Sequence, residues 1–134
     1  MTYLAVPPTI RVLLADDHTM VREGIRSVLE SYPDIEVVGE ASDGEEAFQM
    51  VGELCPAVVV MDINMPKLNG IEATAKIKKI YPNVVIVGLS VEADETYRRA
   101  MTAAGARCLI SKTMAVQQLY VAIRGPIQPL PLAA

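Results

Sequence analysis

Five times along this chain a short aliphatic run gives way to a segment whose apolar residues return every three or four positions. That alternation restricts the fold more than any other property of the sequence. The strand-like runs are Ile10–Ala15, Ile35–Gly39, Ala57–Met61, Val84–Leu89 and Arg107–Ile110. Three of them are nearly continuous β-branched or aliphatic stretches, as a strand covered on both faces requires. Among the helical segments, Val21, Ile25, Val28 and Leu29 share one face, as do Ala47, Met50, Val51 and Leu54. Tyr97, Ala100, Met101 and Ala104 repeat the spacing, and so do Val116, Leu119, Tyr120 and Ile123. The segment from Gly70 to Ile80 is less regular, with Ile71, Thr74, Ala75 and Ile77 as its face. Five strand–helix units predict an α/β domain, a five-stranded parallel sheet with helices on both faces, because each parallel crossover is right-handed and takes a helix. Such sheets commonly run in the order 2-1-3-4-5, with ligands at the carboxyl ends of strands one and three. The order comes from that general rule and not from these residues.

Local signals agree with the alternation. Ser42-Asp43-Gly44-Glu45 reads as a capping box for the second helix, and Asn69 as the cap of the third. Pro33, Pro56, Pro82 and Gly105 close the first four helices. Gly88, inside strand four, is expected to loosen the end of that strand. The segment RGPIQPLPLAA carries three prolines and does not continue a helix. The expected organisation is an N-terminal extension over 1–8, one domain over 9–124 and a proline-rich tail or linker over 125–134.

The 134 residues suit one domain, and 51% are hydrophobic, enough for a real core. With no Trp and one Phe, that core is built from Val, Ile, Leu, Ala and Met. Twelve Lys and Arg against sixteen Asp and Glu leave a net charge of −4, a poor basis for holding a phosphate backbone unaided. Cys55 and Cys108 do not make a disulfide framework, and their apolar neighbours suggest buried free thiols of a reducing compartment. The opening MTYLAVPPTI has no basic region followed by a long apolar run, so it does not read as a secretion signal. The longest apolar run, Ala57 to Met61, is far shorter than a membrane span, and a soluble, cytoplasmic protein is expected.

Polar residues stand where the apolar strands stop. Strand one is followed by Asp16 and Asp17, strand three by Asp62, strand four by Ser90 and strand five by Lys112. In a parallel sheet these ends share one edge, so three carboxylates, a hydroxyl and an ammonium should converge. Carboxylates about 5 Å apart repel by roughly 3 kcal/mol per pair at an effective dielectric near 20. Either one stays protonated or a cation sits among them. A hard divalent ion such as Mg²⁺ takes one or two carboxylates, waters and a phosphate oxygen. Taken singly, an Asp at a strand end is more often a helix cap, Ser90 a turn residue and Lys112 a solvated charge. Their coincidence at four strand ends favours chemistry.

The stretches VLLADDHTMVREGIRSVLE, VVVMDINMPKLNGIEA and AGARCLISK resemble the opening, phosphorylation and fifth-strand segments of bacterial two-component receiver domains. The resemblance runs from about Thr9 to Arg124 and is nearest the NarL/LuxR-type response regulators. The spacings from Asp62 to Ser90 (28) and to Lys112 (50) match that pattern. It implies a flavodoxin-like (βα)₅ fold in which Asp62 accepts a phosphoryl group from a sensor histidine kinase. It also implies Mg²⁺ held by Asp16, Asp17, Asp62 and the backbone carbonyl of Asn64. Ser90 and Lys112 would each contact a phosphoryl oxygen. Such a domain is a phosphoacceptor that assists its own phosphotransfer and dephosphorylation, not an enzyme. The resemblance further implies homodimerisation through helix four, strand five and helix five, and transcription regulation through a C-terminal helix-turn-helix absent from this chain. DNA would be met only by that output domain, and no membrane is implied. Leu109 departs from the family, whose members usually carry Tyr or Phe three positions before the lysine, so a ring-flip switch is not expected. His18, Met61 and Met65 are read as structural, and Gly70 with Asn69 as permitting a tight turn after Pro66.

Other readings stay open at this point. A haloacid dehalogenase-type phosphatase would need a second acid two residues after Asp62, where Asn64 stands. A stand-alone receiver would signal by protein contact only. A degenerate one would be a docking module that is never phosphorylated.

Overall fold

A computed structural model describes residues 9–125, so the N-terminal extension and all but the first residue of the expected tail lie outside it. The order is β1 (Ile10–Ala15), α1 (Thr19–Glu30), β2 (Ile35–Ala41), α2 (Gly44–Leu54), β3 (Val58–Asp62) and α3 (Gly70–Ile80). There follow β4 (Val85–Ser90), α4 (Glu95–Ala104), β5 (Cys108–Ser111), a 3₁₀ turn (Lys112–Met114) and α5 (Ala115–Arg124). The strands form one sheet in the order β2-β1-β3-β4-β5, every adjacent pair parallel. The five-stranded α/β fold expected from the alternation is therefore the observed one, including its strand order.

The period-2 geometry of the strands divides the core in two. Val12, Leu14, Val58, Val60, Val87, Leu89 and Ile110 pack with Ile25 and Leu29 of α1 and with Leu119 and Ile123 of α5. Their neighbours in sequence, Leu13, Ala15, Val59, Met61, Ile86 and Leu109, pack with Ala47 and Val51 of α2, Ala73 and Ile77 of α3 and Met101 of α4. Because both faces are covered, β3 is buried along its whole length and carries no exposed polar position.

Several local expectations shift. β2 runs on to Ala41 because its ladder with β1 continues past an irregularity at Val12/Leu13 to the pair Ala15↔Ala41. The cap of α2 is Asp43, which accepts from the Glu46 backbone N–H, and Ser42 instead donates its hydroxyl to the Glu46 carboxylate at 3.1 Å. Asn69 caps α3 as expected. Cys55 is exposed, contrary to the buried thiol expected, because it ends α2 in the left-handed conformation at φ 49°. Cys108 is half-buried, and burial pushes its thiol pKa up. Gly88 does not loosen β4. It is buried, and a Cβ there would lie 2.7 Å from Met101 Cε and 2.9 Å from Leu109 Cδ1, so its lack of a side chain admits these two residues.

At the sheet edge opposite the carboxyl ends, α5 is held firmly. Asp34 accepts from the Tyr120 hydroxyl at 2.7 Å and from Arg124 at 2.5 Å, and Tyr32 stacks on Tyr120 with ring centroids 3.9 Å apart. Arg107, just before β5, donates to the Ala122 and Ile123 carbonyls.

Candidate functional site

The polar strand ends do share one rim, and backbone bonds set their positions. After β1 the chain turns through Asp16, Asp17 and His18 into α1. The Asp16 N–H donates to the Ala41 carbonyl at 3.0 Å, and the His18 N–H donates to Asp16 Oδ1 at 2.8 Å. After β3 the Ile63 N–H continues the ladder by donating to the Leu89 carbonyl at 3.0 Å, and the Gly70 N–H returns to the Ile63 carbonyl at 2.7 Å. Gly70 starts α3 so close to β3 that a Cβ on it would lie 2.1 Å from the Asp62 carbonyl oxygen. Only glycine lets the helix begin there, and the close approach fixes the loop beside Asp62. β5 ends at Ser111, whose side-chain oxygen accepts from the Thr113 N–H in the 3₁₀ turn that begins at Lys112.

Asp16 and Asp62 are buried, 2% and 1% exposed, whereas Asp17 and His18 lie at the surface. Lys112 Nζ stands 2.9 Å from Asp16 Oδ2 and 3.3 Å from Asp62 Oδ2. These are ion-pair contacts without hydrogen-bond alignment, and both Oδ2 atoms are buried with no aligned donor. Asp62 Oδ1 receives only a long bond, 3.4 Å, from the Asn64 N–H. One ligand atom from each of Asp16, Asp17, His18 and Asp62 lies within 4.8 Å of the others. Burial, then the Asp16 charge, raise the Asp62 pKa from 3.8 to about 6, against the opposing pull of Lys112. Three carboxylates meeting one ammonium leave an excess of negative charge and two buried oxygens short of a partner. This donor set fits a hard divalent cation such as Mg²⁺, to which carboxylate oxygens are the natural ligands. Asp16, Asp17 and Asp62 would hold it. The group of Asn64 that meets Asp62 is its N–H.

Ser90 ends β4 and is 1% exposed. Its hydroxyl donates to the Glu92 carbonyl at 2.9 Å and accepts from the Glu92 N–H at 3.2 Å, so at present it serves its own loop. That loop is tied further by Arg98, which donates through Nε to the Ala93 carbonyl and through NH1 to the Leu109 carbonyl, both at 2.9 Å.

The His18 ring, read from the sequence as structural, has its Nδ1 3.2 Å from Oδ1 of both Asp16 and Asp17. One further contact was not singled out from the sequence. Arg22 of α1 donates to the Asp16 carbonyl at 2.5 Å and to Glu40 of β2 at 2.9 Å, a contact between elements that no sequence spacing announces.

A crowded acidic rim at the carboxyl ends of β1 and β3 lies at the switch point of a doubly wound sheet, the place where open α/β domains bind their ligands. The family model of the response regulator receiver domain matches residues 12–124, and the chain belongs to that family. It is 43% identical over 117 residues to the transcriptional regulatory protein LiaR of Bacillus subtilis (strain 168), covering 86% of this chain and 54% of that protein. It is 39% identical over 115 residues to the transcriptional regulatory protein DegU of Brevibacillus brevis, covering 86% and 49%. A crystal structure of a LuxR-family two-component response regulator from Aurantimonas sp. SI85-9A1 superimposes with a TM-score of 0.83 at 35% identity, covering 87% of this chain and 83% of that one. The relatives place the domain among NarL/LuxR-type receivers. The chain spans about half the length of the curated relatives it matches. Among the described residues no helix is long and apolar enough to cross a membrane.

Proposed function

We propose that Asp62 is the phosphoacceptor of this receiver domain and that Asp16, Asp17 and Asp62, with the Asn64 carbonyl, hold Mg²⁺ beside it. The observation that carries this reading is the pair of buried Oδ2 atoms, on Asp16 and Asp62, that share Lys112 and have no aligned donor. Bound there, Mg²⁺ would supply positive charge to the equatorial phosphoryl oxygens. A carboxylate oxygen of Asp62 attacks the phosphorus of a phosphohistidine on a sensor kinase, forming the O–P bond as the N–P bond breaks and imidazole leaves. Lys112 neutralises developing charge, so catalysis is positioning and electrostatics. Water later attacks the acyl phosphate and resets the domain. Such a domain is a phosphoacceptor that assists its own transfer, and not an enzyme with a diffusing substrate.

The same reading gives a switch. A phosphoryl oxygen on Asp62 offers the Ser90 hydroxyl a charged acceptor in place of the Glu92 carbonyl, which draws the loop after β4 inward. Arg98 then passes the change to β5 through the Leu109 carbonyl. Leu109 itself, being aliphatic, has no ring to swing, and its side chain fills the space left by Gly88. The output would be homodimerisation through α4, β5 and α5 and, through a DNA-binding domain, transcription regulation, the role that the relatives' names give those proteins. A cytoplasmic location fits this role.

Incubation with Mg²⁺ and acetyl phosphate, followed by intact-mass and peptide analysis, tests the assignment. One phosphoryl group on Asp62, absent after Asp62→Asn, is expected. No adduct, or an adduct elsewhere, would refute it and favour a docking module that is never phosphorylated.

A further inference from the structure

We propose that Arg22 is a positioning residue for the cation: from α1 it fixes the Asp16–Asp17 turn by holding the Asp16 carbonyl, with Glu40 holding Arg22. This rests on the reading of the acidic rim as a Mg²⁺ site. The guanidinium is divided between two tasks. NH1 donates to the Asp16 carbonyl at 2.5 Å, and Nε donates to Glu40 Oε1 at 2.9 Å. Its side chain is only 16% exposed, so the contact is shielded from water. Glu40 is occupied at its other oxygen as well, by Arg26 NH1 at 2.6 Å. Burial pushes the Glu40 pKa upward, but the hydrogen bonds from Arg26 and Arg22 outweigh it and leave the carboxyl below its ordinary value. Glu40 therefore stays ionised as an anchor.

The end of β2 consequently grips Asp16 twice. Ala41 accepts from the Asp16 N–H directly, and Glu40, the residue before it, reaches the Asp16 carbonyl through Arg22. With both its backbone groups pinned and its Oδ1 accepting from the His18 N–H, Asp16 is held at both its main chain and its carboxylate, and the peptide joining it to Asp17 is restrained. Without Arg22 that peptide gains freedom, and binding a cation must first order it. Groups that orient metal ligands in this way typically change affinity by about 10- to 100-fold when removed. Lysine offers a point donor in place of a fork and cannot span the carbonyl and Glu40 equally well. Simple electrostatics predicts the reverse sign, because deleting a positive charge near an acidic rim should tighten cation binding. The direction of the change therefore separates positioning from charge.

The experiment is a calorimetric Mg²⁺ titration of the parent, Arg22→Ala, Arg22→Lys and Glu40→Gln proteins, with Tm measured in chelator. It is paired with acetyl phosphate labelling rates as a function of Mg²⁺. Arg22→Ala should bind Mg²⁺ about tenfold more weakly or worse. Its half-saturating Mg²⁺ for labelling should rise by a similar factor, while the rate at saturating Mg²⁺ stays within about twofold of the parent. Arg22→Lys should recover part of the affinity. A Tm loss with unchanged Mg²⁺ affinity would make Arg22 only a tie between α1 and β2, and tighter binding would make it only a charge; either overturns the proposal. Should Arg22→Ala not fold, Arg22→Lys decides, because it keeps the charge and changes only the fork: about threefold weaker binding than the parent supports the proposal, and parental affinity overturns it. A parent protein that binds no Mg²⁺ sinks the site itself, whereas a normal parent with indistinguishable variants sinks only the role of Arg22.

Discussion

Replacing Asp62 with asparagine should make this protein more stable at neutral pH when divalent cations are absent. The carboxyl is held at about 6 in the fold against 3.8 for the ordinary group, because burial and the neighbouring Asp16 charge disfavour its ionisation. A tenfold change in proton affinity is worth about 1.4 kcal/mol, so ionised Asp62 opposes folding by at most about 3 kcal/mol at pH 7. Asparagine keeps the shape without the charge. Lys112, 3.3 Å from Asp62 Oδ2, loses one of its two partners in the exchange, and water reaching the rim screens part of the repulsion. A net gain of about 1–2 kcal/mol remains, or roughly 3–8 °C in Tm. The sign with pH follows from the raised value. Below 3.8 the group is neutral whether the chain is folded or not, and the penalty is absent. It grows as pH rises from 3.8 toward about 6 and is complete above that. At pH 4.5 the advantage of asparagine should have shrunk to about a third of its neutral value. Urea denaturation of both proteins at pH 7 and pH 4.5, in chelator and in saturating Mg²⁺, reads all of this. Mg²⁺ should stabilise the parent more than the variant and narrow the gap. A variant no more stable than the parent at pH 7 without Mg²⁺ would show that the rim carries no excess charge, and the case for a cation there would fail.

Gly70→Ala should cost about 2–4 kcal/mol in denaturant unfolding and slow phosphorylation, since its methyl group would collide with the Asp62 carbonyl and push the loop away; a neutral result would remove that close approach from the account. Lys112→Met should slow acetyl phosphate labelling by about 10²- to 10³-fold, measured by intact mass, while Asp62 remains the site; a change under tenfold would count against a role in charge neutralisation. Asp34→Asn should lower Tm at neutral pH. The Tyr120 hydroxyl first, and Arg124 after it, hold the Asp34 pKa below its usual value against burial. That contribution is present above the unfolded value and lost as pH falls through the folded one, so the Tm difference should close in acid. A pH-independent difference would mean that shape and not charge is at stake. Removing Mg²⁺ with chelator at pH 6 should raise proton uptake by the parent and leave Asp62→Asn unchanged, as a pH-stat titration would record.

The sheet was legible because strands buried on both faces leave an unmistakable apolar run, and β1, β3 and β4 all have one. Their polar terminators then marked the rim, once the sheet was read as parallel. What escaped notice depended on tertiary contact or on one-residue offsets. Asp43 and not Ser42 caps α2, because either oxygen can reach an N–H three residues on and only the helix start decides between them. Cys55 has apolar neighbours in sequence yet sits on the outer side of a left-handed turn, a backbone state that composition does not encode. Gly88 looked like a weakness in β4, since the side chains that fill its space, Met101 and Leu109, come from α4 and β5. Arg22 and Glu40 meet only because β2 lies beside β1 and α1 packs against it. His18 is read as structural from the sequence; that its ring nitrogen lies 3.2 Å from both Asp16 and Asp17 depends on the geometry of the turn, which that reading does not contain.

The clasp at the far end of α5 has a consequence for how a signal can leave the domain. Tyr32, Asp34 and Arg107 grip the last turn of that helix from two directions, so its end cannot loosen while its beginning, next to Lys112, is disturbed. α5 must respond as one stiff rod pivoting near Asp34. A sub-ångström displacement beside the lysine would then tilt the whole axis about its held Arg124 end, and weakening the grip would let the two ends move separately without touching the acids.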